Sequence, residues 1–183
     1  AEIEREALLA REKEARTAAE NARQRIAFLA RASELLHSSL AYEETFRALL
    51  DLVVPALATY CVVDIVEESG AVRRLHVVHE DPEKQELATR LREYPLSQAH
   101  YLTRRSILDS KAELINDVPD QLFADVADDA EHLAILRGLA PTSMLIVPLR
   151  ARERVLGALL FARDRNRPAY DAEDMSVAIE LAQ

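Results

Sequence analysis

A chain of 183 residues, 49% apolar and 30% charged, is sized for one soluble globular domain with an appendage. Its formal charge of -9 argues against nucleic acid and anionic membrane as partners, since like charges repel. The most apolar stretch, Leu52 to Val63, is broken by Pro55 and falls short of the roughly 20 residues a spanning helix needs.

The charge is unevenly spread. Residues 1–25 hold six acids and six bases, so the remaining 26 acids and 17 bases supply the whole excess. The N-terminus is charged and has no apolar core of a signal peptide. The single cysteine, Cys61, cannot form an internal disulfide, and its apolar neighbours predict a buried thiol. A reducing compartment follows, and the chain is expected to be cytoplasmic.

Residues 1–40 predict a long charged helix with a thin apolar seam. Leu8, Ala15, Ala22, Leu29 and Leu36 recur every seven residues, and Ala19 and Ile26 fill a second position in two heptads. A strict seven-residue repeat keeps one stripe facing a partner helix, as a left-handed coiled coil requires. The stripe is narrower than the face a helix normally turns to a globular core. These seven residues are therefore the expected dimer interface.

A break near Ser38–Ser39 precedes a second helix opening at Ala41, with Phe46, Leu49, Leu50, Val53 and Val54 at helical spacing and Pro55 at or near its end. Tyr60 to Val66 is rich in β-branched residues and predicts a strand. A turn at Glu67–Gly70 leads to a partner strand, Val72 to His79. Asp81–Pro82–Glu83 has the composition of a helix start, and that helix should stop before Pro95. Residues 95–105 show no period and are predicted as loop, with one helical turn at Ser106–Ser110.

A short strand is expected at Glu113–Val118, and one acidic helix from about Asp120 to Leu139. A hairpin follows: Ser143 to Leu149, a charged turn at Arg150–Arg154, and Val155 to Ala162. Asp171 and Asp174 have capping-box spacing at the head of a last helix, whose apolar positions are still in phase at the final residues. This order predicts an α+β fold: an antiparallel sheet of five or six strands with helices on both faces, preceded by the long helix. The expected partition is a linker helix (1–40), a sensor domain (41–170) and the start of an output helix (171–183).

Several segments together resemble a GAF domain, the small-molecule sensor module of bacterial signalling proteins. They are Leu29-Ala-Arg-Ala-Ser-Glu-Leu-Leu36, Leu52-Val-Val-Pro55 running into Tyr60-Cys-Val-Val-Asp-Ile65, Leu75-His-Val-Val-His-Glu-Asp-Pro82, and Ser143-Met-Leu-Ile-Val-Pro-Leu149 followed by Arg154-Val-Leu-Gly-Ala-Leu159. The resemblance runs from about Phe28 to Gln183, and the long helix resembles the linker that often follows a PAS domain. It implies a sensory module of a dimeric signalling protein, most naturally a histidine kinase. It leaves the ligand open.

Cyclic-nucleotide-binding members of the family carry an Asn-Lys…Phe…Asp-Glu motif. This chain has Asn166-Arg167…Tyr170…Glu173-Asp174, with two replacements and a reversed acid pair, which argues against a cyclic nucleotide. The position of Cys61, in the first strand, argues against a covalent bilin. The resemblance places Tyr94, Tyr101 and Met144 at the pocket roof and floor, where core packing competes as their role.

No catalytic residue is predicted: the three glycines are unclustered, and no Gly-x-Ser-x-Gly or Ser-x-x-Lys occurs. His76 and His79, three apart on a strand, face opposite ways and cannot chelate together. His79, at the strand end, is a candidate ligand contact weighed against a satisfied polar group at the sheet margin. His37 lacks the neighbours of a phosphoacceptor histidine and is expected on the helix surface. The acids from Asp117 to Glu131 lack the spacing and central glycine of a calcium loop, so no metal site is predicted.

The leading expectation is thus a non-catalytic sensory module. It would form a homodimer through its first and last helices and relay a signal as a change in helix packing, with a possible small-molecule ligand and no direct membrane contact. The alternatives are a passive dimerising spacer, or a module regulating a phosphatase or cyclic-dinucleotide enzyme.

Overall fold

Five extended segments rich in apolar residues build one antiparallel sheet. Its strands are β1 (Tyr60–Val66), β2 (Val72–His79), β3 (Glu113–Asn116), β4 (Ser143–Ala151) and β5 (Arg154–Arg163), in the order β2-β1-β5-β4-β3. The helices are α1 (Glu2–Ser38), α2 (Tyr42–Leu57), α3 (Gln85–Leu91), α4 (Tyr101–Asp109), α5 (Asp120–Val126), α6 (Ala130–Leu139) and α7 (Ala172–Leu181). This computed structural model describes residues 2–38, 42–94, 96–97, 100–151 and 153–183, without the side chains of 2–4, 6–7, 32–38 and 42–45. Leu36 and His37, singled out in the sequence, have side chains outside the described residues, as do Ser39 and Ala41 at the expected helix break.

Both faces of the sheet are covered, so β4 is buried from Ser143 through Leu149 rather than alternating. On one face Cys61, Val63, Leu145, Val147, Leu159 and Phe161 meet Leu49, Leu50 and Val53 of α2 and Val177, Ala178 and Leu181 of α7. On the other, Val62, Val77, Met144 and Ala162 meet Ala88 and Leu91 of α3 and Ile135 and Leu139 of α6.

One corner pins the elements together. The Arg163 Nε donates to the Leu57 carbonyl at 3.0 Å, and its two Nη atoms donate to the Asp174 carboxylate at 2.9 and 3.0 Å. The guanidinium lies 4.0 Å over the Tyr170 ring, whose hydroxyl donates to the same Leu57 carbonyl. Arg167 pairs with Glu80 across the same end of the sheet. Asp171 caps α7 in a capping box with Asp174. The Asn166–Asp174 segment thus spends its side chains on holding the fold.

The structure corrects three local expectations. Residues 101–105 are helix, not loop: α4 spans nine residues, and its inward side carries Thr103 and Ser106, polar residues that hide the apolar period. The acidic stretch 120–139 is two helices, broken where Ala127 turns extended and the Asp129 side chain caps α6 through the His132 N–H. The helix after Asp81–Pro82–Glu83 starts later, at Gln85, because Asp81 closes a turn by accepting from the Glu83 N–H. Pro55 lies near the end of α2, as expected, with the helix running two residues past it to Leu57.

Candidate functional site

A largely apolar concavity lies between the sheet and the covering helices α4 to α6. It is a cavity of about 70 Å³. Eleven of its sixteen lining residues are apolar, among them Leu122, Phe123 and Val126 of α5, Leu136 of α6, and Met144 and Leu160 on the floor. The polar ones are Tyr60, Arg74, His100, Tyr101 and Thr103.

The fold buries a charge there. Arg74 reaches the cavity from β2, and its Nε donates to Asp64 Oδ1 at 3.0 Å, with side-chain exposures of 6% and 1%. The Arg74 Nη1 also meets the Leu91 carbonyl at 3.4 Å. Burial pushes the Asp64 carboxyl up from its ordinary range, and the Arg74 charge and hydrogen bond oppose that. The pair sits beside a register shift between Val63 and Asp64, with Asp64 opposite Ala158 and next to the Ile65–Gly157 pair. A Cβ on Gly157 would stand 1.9 Å from the Asp64 carbonyl oxygen, so only glycine lets β5 approach here.

Two histidines stand above the pair. His100, at the head of α4, accepts from the Ser97 N–H through Nδ1, which leaves Nε2 as its N–H. Burial holds its pKa down to about 4, helped by the nearby Arg74 charge and His132. His132 is fully buried and stacks between Tyr94, at 4.2 Å, and His100, at 5.9 Å. Its Nδ1 accepts from the Asp128 N–H, burial lowers its pKa, and its Nε2 has no partner. Both rings are neutral at pH 7, so the one ion pair is the only balanced charge built into the wall.

Of the sequence candidates, Tyr101 and Met144 line the cavity, and Tyr101 is half exposed at its mouth. His79 and Tyr94 do not line it. His79 stacks on Tyr60, and its Nδ1 accepts from the Asp81 N–H, which makes it a held group at the sheet margin. Tyr94 lies behind His132, its hydroxyl 3.4 Å from Asp129. Arg74, Asp64 and His100 were not singled out in the sequence. The one available signal was a lone acid, Asp64, inside the otherwise apolar strand Tyr60–Val66.

The seam residues of α1 divide. Every described side chain from Arg5 to Gln24 is exposed, including Leu8, Ala15, Ala19 and Ala22, and Ile26 is 67% exposed. Leu29 is instead half-buried against its own domain, beside Phe28. Arg25 ties α1 to α7 through Glu173 at 3.3 Å and Glu180 at 3.6 Å. Cys61 is buried with its thiol pushed up by burial. Several acids of 117–131 have local partners: Asp120 pairs with Arg137, Glu131 with Arg90, and Asp129 caps α6. Among the described residues no group of three or more His, Cys, Asp or Glu is placed to hold a metal, and no helix is long and apolar enough to cross a membrane.

The sequence profile of the GAF domain matches residues 39–183. The chain belongs to the GAF domain family. Solved structures agree on the fold. The GAF domain of a phosphoenolpyruvate-protein phosphotransferase from Coxiella burnetii superposes with TM-score 0.66 at 14% identity, covering 88% of this chain and 90% of that one. The GAF domain/HD domain protein from Geobacter sulfurreducens gives 0.57 at 19%, covering 79% and 90%. The GAF domain of a protein described as a sensor histidine kinase from Pseudomonas syringae pv. tomato gives 0.56 at 17%, covering 92% and 88%. No curated protein gives a significant match.

Proposed function

We propose that this GAF domain is a non-catalytic sensory module. In this reading it works as a homodimer in the cytoplasm and passes a signal from α1 to α7, with the cavity under α4 to α6 as its input. One observation carries the reading: α1 is 37 residues long, and its described side chains from Arg5 to Gln24 are all exposed. An isolated helical segment of that kind is marginal in water, so it needs a partner. Its uncovered stripe of Leu8, Ala15, Ala19, Ala22 and Ile26 suits a second copy, with Leu36 extending the repeat. Arg25, bonded to Glu173 and Glu180, gives a direct grip of the incoming helix on α7.

A ligand, or a signal from an upstream domain, would favour one of two packings of this helical bundle. The output we favour is a histidine kinase; relatives of the same fold also come from phosphotransferase and chemotaxis proteins, so sequence beyond α7 decides it. Native mass spectrometry and sedimentation of the chain test the dimer. The expected result is a dimer that Ile26→Glu converts to monomer with its circular dichroism retained in the domain region. A monomer at high concentration in the unmodified chain refutes the relay.

A further inference from the structure

The cavity can be read further, as to the kind of molecule it accepts; this rests on the sensory reading of the same site. We propose that it takes a small neutral molecule, no larger than a single ring, apolar over most of its surface and carrying a hydrogen-bond acceptor for Arg74 and His100.

Size sets the first limit. At about 70 Å³ the space is under half the ~150 Å³ engineered cavity that holds benzene and far below the roughly 300 Å³ at which drug-sized sites begin, so a single small ring would already fill it and extend into the mouth beside Tyr101. A tetrapyrrole or a nucleotide does not fit within it. The half-exposed Tyr101 at the mouth leaves a path of entry.

Charge sets the second limit. Arg74 is the only charged residue on the described wall, and Asp64 already balances it. A carboxylate ligand would have to compete with Asp64 for one guanidinium, and would leave a second anion buried without a partner. His100 offers no relief, because burial keeps it neutral at ordinary pH.

Hydrogen bonding sets the third. Arg74 has five N–H donors and no acceptor, and His100, its Nδ1 engaged by Ser97, keeps an N–H on Nε2. Arg74 spends Nε on Asp64 and Nη1 on Leu91. These wall groups ask for an acceptor, such as a carbonyl or ring nitrogen. The eleven apolar residues reward the rest of the ligand for shedding water.

Three probes of one shape separate these claims on the unmodified full chain: cyclopentanone, cyclopentane and cyclopentanecarboxylate, titrated by NMR with amide shifts read at Val62, Arg74 and Ile146. Cyclic AMP serves as the large anionic control. Cyclopentanone is expected to bind at these residues about tenfold or more tightly than either ring partner, the scale of one hydrogen bond to a charged group. Cavity-filling Leu160→Trp should abolish the shifts, provided its circular dichroism is unchanged; the probe ranking on the unmodified chain stands without it.

Tighter binding of the carboxylate or of cyclic AMP, or binding of none of the four, overturns the ligand class. Native mass spectra of the same samples judge the sensory reading separately. A dimer that retains a larger or charged molecule sinks the ligand class and leaves the relay standing. A monomer that binds cyclopentanone does the reverse.

Discussion

The Asp64–Arg74 pair offers the sharpest test of how the cavity is built, because its two halves differ in what they can do when left alone. In Asp64→Ala the guanidinium remains 6% exposed, with only the Leu91 carbonyl at 3.4 Å beside it. Arginine cannot shed its proton in a protein, so the charge stays buried. Coulomb attraction at about 4 Å and an effective dielectric near 20 is ~4 kcal/mol, and removing one partner of a buried pair costs about 3–5 kcal/mol. That is a large part of the 5–15 kcal/mol that holds a typical domain together.

Arg74→Met leaves Asp64 instead, and an acid has an escape. Burial already pushes its carboxyl up, and without Arg74 it rises further and takes a proton. The folded state then binds that proton more tightly than the unfolded chain does. Stability of Arg74→Met is therefore full below the unfolded pKa of about 3.9 and is lost as pH rises through the folded one. The paired apolar change Asp64→Leu with Arg74→Met should be neutral or stabilising. Urea unfolding followed by circular dichroism at pH 5 and pH 8 gives midpoints and slopes for all four proteins. A cost below about 1 kcal/mol for Asp64→Ala, or an Arg74→Met protein whose stability does not fall between those pH values, refutes the account of a dry, charge-balanced wall.

Two further outcomes are expected. His100 is held near pKa about 4 by burial, against about 6.5 in the unfolded chain, so the unfolded state binds more protons between those values. Stability is thus lost as pH falls from about 6.5 to about 4, by up to ~3 kcal/mol, and His100→Asn should flatten this part of the profile in thermal melts. Gly157→Ala places a methyl 1.9 Å from a backbone oxygen, so β1 and β5 must separate. A loss of about 1–3 kcal/mol is expected in urea unfolding, together with weaker cavity binding; an unchanged midpoint would show that the strands do not approach as described.

How much of this was legible in the sequence depends on the distance over which a signal acts. Strands β1 and β2 were readable because Val62, Val63, Ile65 and Val66 carry a local preference, and the cap of α7 because Asp171 and Asp174 meet within one turn. Helix α4 was not, because Thr103 and Ser106 satisfy a buried face with small polar groups where pattern reading looks for leucine. The cavity was legible only in Tyr101 and Met144. Its wall is assembled from four strands and four helices plus His100 and Pro141, and the Arg74–Asp64 pair joins residues ten apart across a bulged hairpin. No local period encodes that. The seam of α1 shows the same divide: its repeat predicts one stripe, yet Leu29 falls where α1 meets its own domain and is covered there.

A relay from this cavity has to cross the sheet, since its floor lies on the face away from α2 and α7. Strand β5 is one of the strands that touch both sides. Leu160 faces the cavity, while Leu159 and Phe161 pack with α2 and α7. At Gly157 the strand leans on the backbone of Asp64, and at its other end Arg163 holds Leu57 of α2 and Asp174 of α7. A ligand that draws on Arg74 would change the load on Asp64, at the register shift in the pairing of β1 with β2. Packed strands do not deform smoothly, so in the proposed relay a shift along β5 would arrive at Arg163 as a choice between two arrangements of α7. Arg25 would then couple that choice to α1 through its ion pairs with Glu173 and Glu180, on the same helix whose first turn holds Asp174.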